Sequence, residues 1–151
     1  MSDFENQIMA QLKDAFRAKD QVKLDTLRAM KSALKYKKVE LKKEALTEEE
    51  SLVVFQSLLK QRKEAADQFE KYGHADRAQK ELREAEIISS FLPEPLSEPE
   101  LKKLLDETIA ELKASSMKDM GPVMKSLKDK VKSRAEGKLL SDLVRQKLSA
   151  S

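Results

Sequence analysis

Three of the chain's four prolines fall in the run Leu92-Pro93-Glu94-Pro95-Leu96-Ser97-Glu98-Pro99. No other feature limits the fold as strongly. Pro93 and Pro95 remove two amide donors and bar a helix from running through them. The sequence on either side is rich in helix formers: Ala, Leu, Glu, Lys and Arg supply 83 of 151 residues. Three glycines and 5% aromatic residues argue against a β-sandwich or barrel, which needs many turns and a β-branched, aromatic vocabulary. The expectation is an all-α protein in two parts. A helical N-terminal domain covers residues 1–92, and a smaller three-helix domain covers residues 97–151.

Apolar periodicity divides the two parts further. Ile8, Leu12 and Phe16 recur at i, i+4 and i+8, which predicts a first helix over Asp3–Ala18 with these three on its buried face. Asp20 reads as the N-cap of a second helix with Leu24, Leu27, Met30 and Leu34 inward, reaching about Lys43. Thr47 and Glu50 have the spacing of a capping box. They open a third helix that carries Leu52, Phe55, Leu59, Ala66 and Phe69 and stops near Gly73. A fourth, from Ala75 to about Phe91, packs through Ala78, Leu82, Ala85, Ile88 and Leu92. Beyond the prolines, Ser97 and Glu100 suggest another box ahead of Leu101, Leu104, Leu105, Ile109 and Leu112. Ser116 and Asp119 announce a sixth helix with Met120, Met124, Leu127 and Val131 on one face, although Pro122 allows a later start. Gly137 breaks the pattern before Leu139, Leu140, Leu143, Val144 and Leu148.

Charge is unevenly placed. Residues 17–43 hold ten Lys/Arg against three acids, and residues 113–151 hold ten against four. Between them, residues 44–112 hold nine against seventeen. Basic blocks on helices attract phosphate backbones, and the attraction weakens with salt. The alternative is that these lysines do no more than solvate outer helix faces.

Catalytic chemistry has little to draw on. There is no cysteine, so a thiolate metal site and a thiol nucleophile are excluded. His74 is the single histidine; Glu70 and Asp76 flank it, but three or four ligands with defined spacing are missing, and it reads as a loop residue. Gly73, Gly121 and Gly137 are isolated, so no phosphate-cradling loop is present. Neither a catalytic residue, a metal site nor a cofactor is expected. The N-terminus shows no basic-then-apolar leader and no apolar run long enough to span a bilayer. The expected location is cytoplasmic, with no membrane partner.

The tail carries the most distinctive segment. Lys125, Lys128 and Lys132 fall at i, i+3 and i+7, within about 60° on a helix, beside the apolar face. Lys118 precedes them, and Arg134 and Lys138 extend the charge. Gly137 has no side chain, which leaves room for a phosphate to approach the start of the last helix. These seven residues are the candidate nucleic-acid-binding set.

At these residues the chain resembles the GatB/YqeY family, in its free-standing YqeY-like form. The resemblance runs from Lys19-Asp20 and Leu24-Asp25-Thr26-Leu27-Arg28 through Lys31-Ser32-Ala33-Leu34-Lys35. It continues in Lys60-Gln61-Arg62-Lys63-Glu64-Ala65-Ala66-Asp67-Gln68-Phe69, Phe91-Leu92-Pro93 and Ser116-Met117-Lys118-Asp119-Met120-Gly121. It ends in Arg134-Ala135-Glu136-Gly137-Lys138. The resemblance implies a helical domain followed by a three-helix domain. The latter is similar to the C-terminal tail of the B subunit of tRNA-dependent amidotransferases, which helps hold the tRNA body. The chain has no candidate for the active sites of those enzymes. Three functions follow as expectations: a tRNA-binding accessory protein with weak sequence specificity; a component of a glutamine-dependent carbon–nitrogen ligase, active only with an amidotransferase or aminoacyl-tRNA-related partner; or a helical adaptor without a nucleic-acid role. The oligomeric state stays open at this level.

Overall fold

A computed structural model describes residues 3–150; Met1, Ser2 and Ser151 lie outside the described residues. The all-α expectation holds. Among the described residues seven α-helices follow in order: α1 Asp3–Ala18, α2 Gln21–Leu41, α3 Glu48–Lys71, α4 Ala75–Ser89, α5 Glu98–Leu112, α6 Met120–Val131 and α7 Gly137–Ser149. Short 3₁₀ turns at Met117–Asp119 and Lys132–Arg134 flank α6, and there is no strand among the described residues. Chain contacts divide the molecule into two compact units, Met1–Leu92 and Pro93–Ser151.

The helix starts follow the capping chemistry. Asp20 accepts from the Lys23 amide at 3.1 Å. At α3 both arms of the capping box form: the Glu50 amide donates to Thr47 Oγ1 at 3.1 Å, and the Thr47 amide donates to Glu50 Oε1 at 2.9 Å. Lys43 Nζ adds a bond to the same carboxylate at 2.8 Å. That lysine and the Thr47 amide hold the Glu50 carboxyl down at about 2 from the usual 4.5. At α5 only the Ser97 arm forms, from the Glu100 amide at 3.3 Å, and Pro99 sits in the first turn, where a missing donor is harmless. Pro122 is equally harmless in the first turn of α6, so that helix starts at Met120 rather than late.

The helix ends have a shared peculiarity. Lys19, Lys42, Lys113 and Lys132 all have positive φ, and each directly follows the last residue of a helix. Glycine is the usual occupant of such positions. Lysine is strained there but brings a positive charge to the negative end of the helix dipole.

In the first unit, α3 packs along α4, and α2 contacts α1, α4 and α3. Ile8, Leu27, Met30, Leu34, Phe55 and Ile88 are fully buried at its centre. Phe55 meets the Phe4 ring edge-on at 5.3 Å and the Phe91 ring at 5.8 Å. Arg62 on α3 bridges to α4, 3.2 Å from Glu84 and 3.7 Å from Glu81. Burial and the neighbouring Glu81 raise the Glu84 carboxyl above its ordinary range.

Four apolar residues expected inside lie outside. Phe16 is 71% exposed, and Leu82, Leu112 and Leu139 are also exposed. The cause for Phe16 is the narrow buried stripe of α1, whose main packing partner is α2: Ile8 and Ala15 fill it, seven residues apart. Leu112 is the last residue of α5, and Leu139 lies in the first turn of α7, where neighbours cover only one side.

In the second unit α6 packs against both α5 and α7. Leu101, Leu105, Val123, Leu127, Val131, Leu140, Val144 and Leu148 form its core. Thr108 is buried within the unit; its hydroxyl donates to Leu104 O at 2.7 Å and accepts from Lys130 Nζ at 2.9 Å. The segment before α5 belongs to this unit through two bonds to one residue. The Leu96 amide donates to Arg134 O at 2.9 Å, and Arg134 Nε donates to Glu94 O at 2.9 Å.

Candidate nucleic-acid interface

The tail residues occupy several kinds of local structure. Lys118 lies in the 3₁₀ turn before α6, where Ser116 and Asp119 form a capping box. The Asp119 carboxylate accepts from the Ser115 and Ser116 amides at 2.8 and 3.3 Å, so the turn holds a fixed form. Lys125 and Lys128 stand exposed on α6, beside the buried Val123, Leu127 and Val131.

The third lysine of the stripe departs from it. The helix ends at Val131, and Lys132 has φ 51° and ψ −122°, far from helical values. Its side chain is exposed, but the helical register that would align it with Lys125 stops one residue earlier. Arg134 is exposed yet holds Glu94 O through Nε, so it fastens the segment before α5 as well as adding charge. Gly137 opens α7 with ordinary negative φ, and a Cβ there would meet nothing within 4 Å. Glu136 takes the N-cap position without a side-chain cap bond. Lys138 follows, exposed, in the first turn.

Ion pairs sort the remaining cations. Lys130 pairs with Glu111 at 3.0 Å, and Lys147 pairs with Asp106 at 3.1 Å. Lys118, Lys125, Lys128, Lys132 and Lys138 have no ion pair among the described residues. Arg145 escaped the sequence reading. It is exposed on α7, seven residues beyond Lys138, and that spacing places both on one face, with Asp142 between them diluting the charge. Asp129, four residues beyond Lys125, does the same on α6.

The first unit carries a second basic face. Arg28, Lys31 and Lys35 are exposed on unbroken α2 at i, i+3 and i+7. Their neighbours are engaged: Lys37 with Glu40, Lys38 with Glu5 and Lys43 with Glu50. His74 stands exposed at the N-cap position of α4 with its ring 6.4 Å from Phe69, over which Arg77 lies at 5.9 Å. No group of three or more His, Cys, Asp or Glu side chains that could hold a metal occurs among the described residues. No described helix is long and apolar enough to cross a membrane.

Comparison with known proteins places the chain. It is 32% identical over 107 residues to the altered inheritance of mitochondria protein 41, mitochondrial, of Lachancea thermotolerans, covering 70% of this chain and 57% of that protein. The protein of the same name from Saccharomyces cerevisiae is 34% identical over 101 residues, covering 63% of this chain and 55% of that protein. The chain thus spans about half the length of the curated relatives it matches. These relatives overturn the cytoplasmic expectation, since they are named as mitochondrial proteins. A cysteine-free, charged helical composition suits either compartment, so composition could not separate the two. A family model described as Yqey-like protein matches residues 5–148. With that match covering nearly all of its length, the chain belongs to the Yqey-like protein family.

Proposed function

We propose that the chain is an accessory RNA-binding protein, with tRNA as its expected ligand, that grips phosphates through the basic side of the C-terminal unit and has no active site of its own. One observation carries this reading. Lys118, Lys125, Lys128, Lys132 and Lys138 are exposed and lack ion pairs among the described residues, whereas Lys130 and Lys147 of the same unit are paired. Free cations on a fixed scaffold release condensed counterions when they meet a phosphate backbone. Arg134 and Gly137 lie between Lys132 and Lys138 in the chain, the first with one donor already committed to Glu94.

Recognition of this kind relies on shape and phosphate, so sequence preference is weak. The relatives' name, altered inheritance of mitochondria, specifies no ligand. The test is a mobility shift of the whole chain with total tRNA at about 50 and about 200 mM salt. Binding that falls steeply with salt, by at least tenfold across that range, is expected for several phosphate contacts. Binding that is absent at both concentrations would return the lysines to the role of solvating side chains. Amidation by the purified chain supplied with ATP, glutamine and misacylated tRNA would overturn the view that it lacks an active site.

A further inference from the structure

We propose that the cleft between α1 and α2 binds one unpaired nucleotide of a single-stranded nucleic acid, the base stacking on Phe16 and the adjoining phosphates pairing with Lys13, Arg17 and Arg28. This cleft belongs to the N-terminal unit and is independent of the tail reading.

Its lining is Leu12, Lys13, Phe16, Arg17, Leu24 and Arg28, around about 310 Å³. Leu24 is buried and Leu12 half-buried, which gives an apolar floor. Phe16 is 71% exposed, so its ring lies open to a ligand. A phenyl ring left open in this way is costly in water and useful when a flat partner covers it.

The rim is purely cationic. Among the described residues no carboxylate lines the cleft. The acids nearby at the start of α2 are engaged: its N-cap Asp20 with the Lys23 amide and Arg83, the latter at 2.6 Å, and Asp25 with Gln21 at 2.8 Å. Lys13, Arg17 and Arg28 have no ion pair among the described residues. The complement is therefore an anion with a flat apolar body.

Size distinguishes a nucleotide from an acidic helix. The lining runs only from Leu12 to Arg17 on α1 and from Leu24 to Arg28 on α2. At 1.5 Å per residue these stretches are about 6–8 Å long. A docked helix with anchors at i, i+4 and i+7 needs about 10 Å of apolar groove. A single base with a phosphate on either side fits the shorter length, and aromatic stacking beside cations is the usual means of holding single strands.

The experiment titrates the whole chain into a labelled six-nucleotide oligouridylate and follows fluorescence anisotropy at about 50 mM salt. Phe16→Ala should weaken binding about tenfold, the scale of one lost stack, while Phe16→Tyr should stay within about twofold of the parent. Phe16→Leu keeps an apolar group without a ring face and should fall with the alanine variant. Arg17→Glu together with Arg28→Glu should weaken binding further and flatten its salt dependence. Because Phe16, Arg17 and Arg28 are exposed, the variants should melt as the parent does. The same series in a Lys125→Glu/Lys128→Glu/Lys138→Glu background separates this site from the tail, because the Phe16 effect persists there. Equal binding by the parent and Phe16→Ala overturns the proposal. Full affinity in Phe16→Leu overturns it too, as does an acidic amphipathic peptide that binds the cleft when the oligonucleotide does not.

Discussion

The two basic faces look alike in sequence and differ in structure. Arg28, Lys31 and Lys35 share a spacing with Lys125, Lys128 and Lys132. On α2 the helix continues past all three and six residues further, so the spacing becomes a straight ladder. On α6 it ends at Val131, and the third lysine turns off into a 3₁₀ turn. Charge spacing converts to geometry only as far as the helix persists. If the faces bind phosphates as proposed, the α2 face would match a regular line of them and the tail a bent backbone.

The largest effect that can break this comparison is charge reversal on one face at a time. Lys125, Lys128 and Lys138 changed together to Glu should weaken tRNA binding by one to two orders of magnitude at about 100 mM salt, and the log–log salt slope should shrink by about 2–3. Lys132 is left in place because its backbone is strained. Reversal of Arg28, Lys31 and Lys35 should have a severalfold effect at most. A reversed ranking in the mobility shift would move the main interface to α2.

Arg134 sharpens the comparison next, because the tail asks it to serve both structure and charge. Arg134→Ala should lower unfolding stability in denaturant by about 1 kcal/mol through loss of the bond to Glu94 O. Lys138→Ala should stay within about 0.5 kcal/mol. Equal values would mean that Arg134 is as dispensable to the fold as its neighbours.

Lys132 gives a smaller effect of opposite sign. Its φ of 51° favours glycine, so Lys132→Gly should raise stability by about 0.5–1 kcal/mol while removing one of the cations proposed to meet phosphate. Lys42→Gly at the end of α2 has an ordinary left-handed backbone to relieve and should gain less. A destabilised Lys132→Gly variant in a thermal melt would show that the lysine side chain holds the turn.

The smallest effect concerns Glu50, which ties up Lys43 at the end of the α2 block. Its folded-state pKa is depressed to about 2 from 4.5, chiefly by Lys43 and then by the Thr47 amide. The associated stability is complete above pH 4.5 and is lost as pH falls towards 2. Glu50→Gln should therefore flatten the acid limb of a melting-temperature profile over that window. An acid limb as steep as the parent's would assign the transition to other carboxylates.

Local signals in the sequence were legible because local chemistry decides them. Asp3–Ala18, the Thr47–Glu50 box and the proline break depend on residues within one helical turn of each other. Exposure was harder to read. Phe16, Leu82, Leu112 and Leu139 have helical spacing, but whether a neighbouring helix covers them depends on packing partners that periodicity does not name. The site was legible as charge and obscure as geometry. Glu111 lies nineteen residues from Lys130 and Glu94 forty from Arg134, so no spacing rule marks which cations are already engaged.

The pair of bonds between Arg134 and the segment after Pro93 bears on how the chain resists cutting. Proline-rich stretches at unit boundaries usually read as linkers and as places where a protease finds an accessible backbone. Here the Leu96 amide and the Glu94 carbonyl are both occupied. Cleavage inside Glu94–Leu96 therefore requires those bonds to open first, and the Leu96 amide should exchange its proton only when that opening occurs. A fragment begun at Ser97 would lack both partners of Arg134, whereas one begun at Pro93 would keep them.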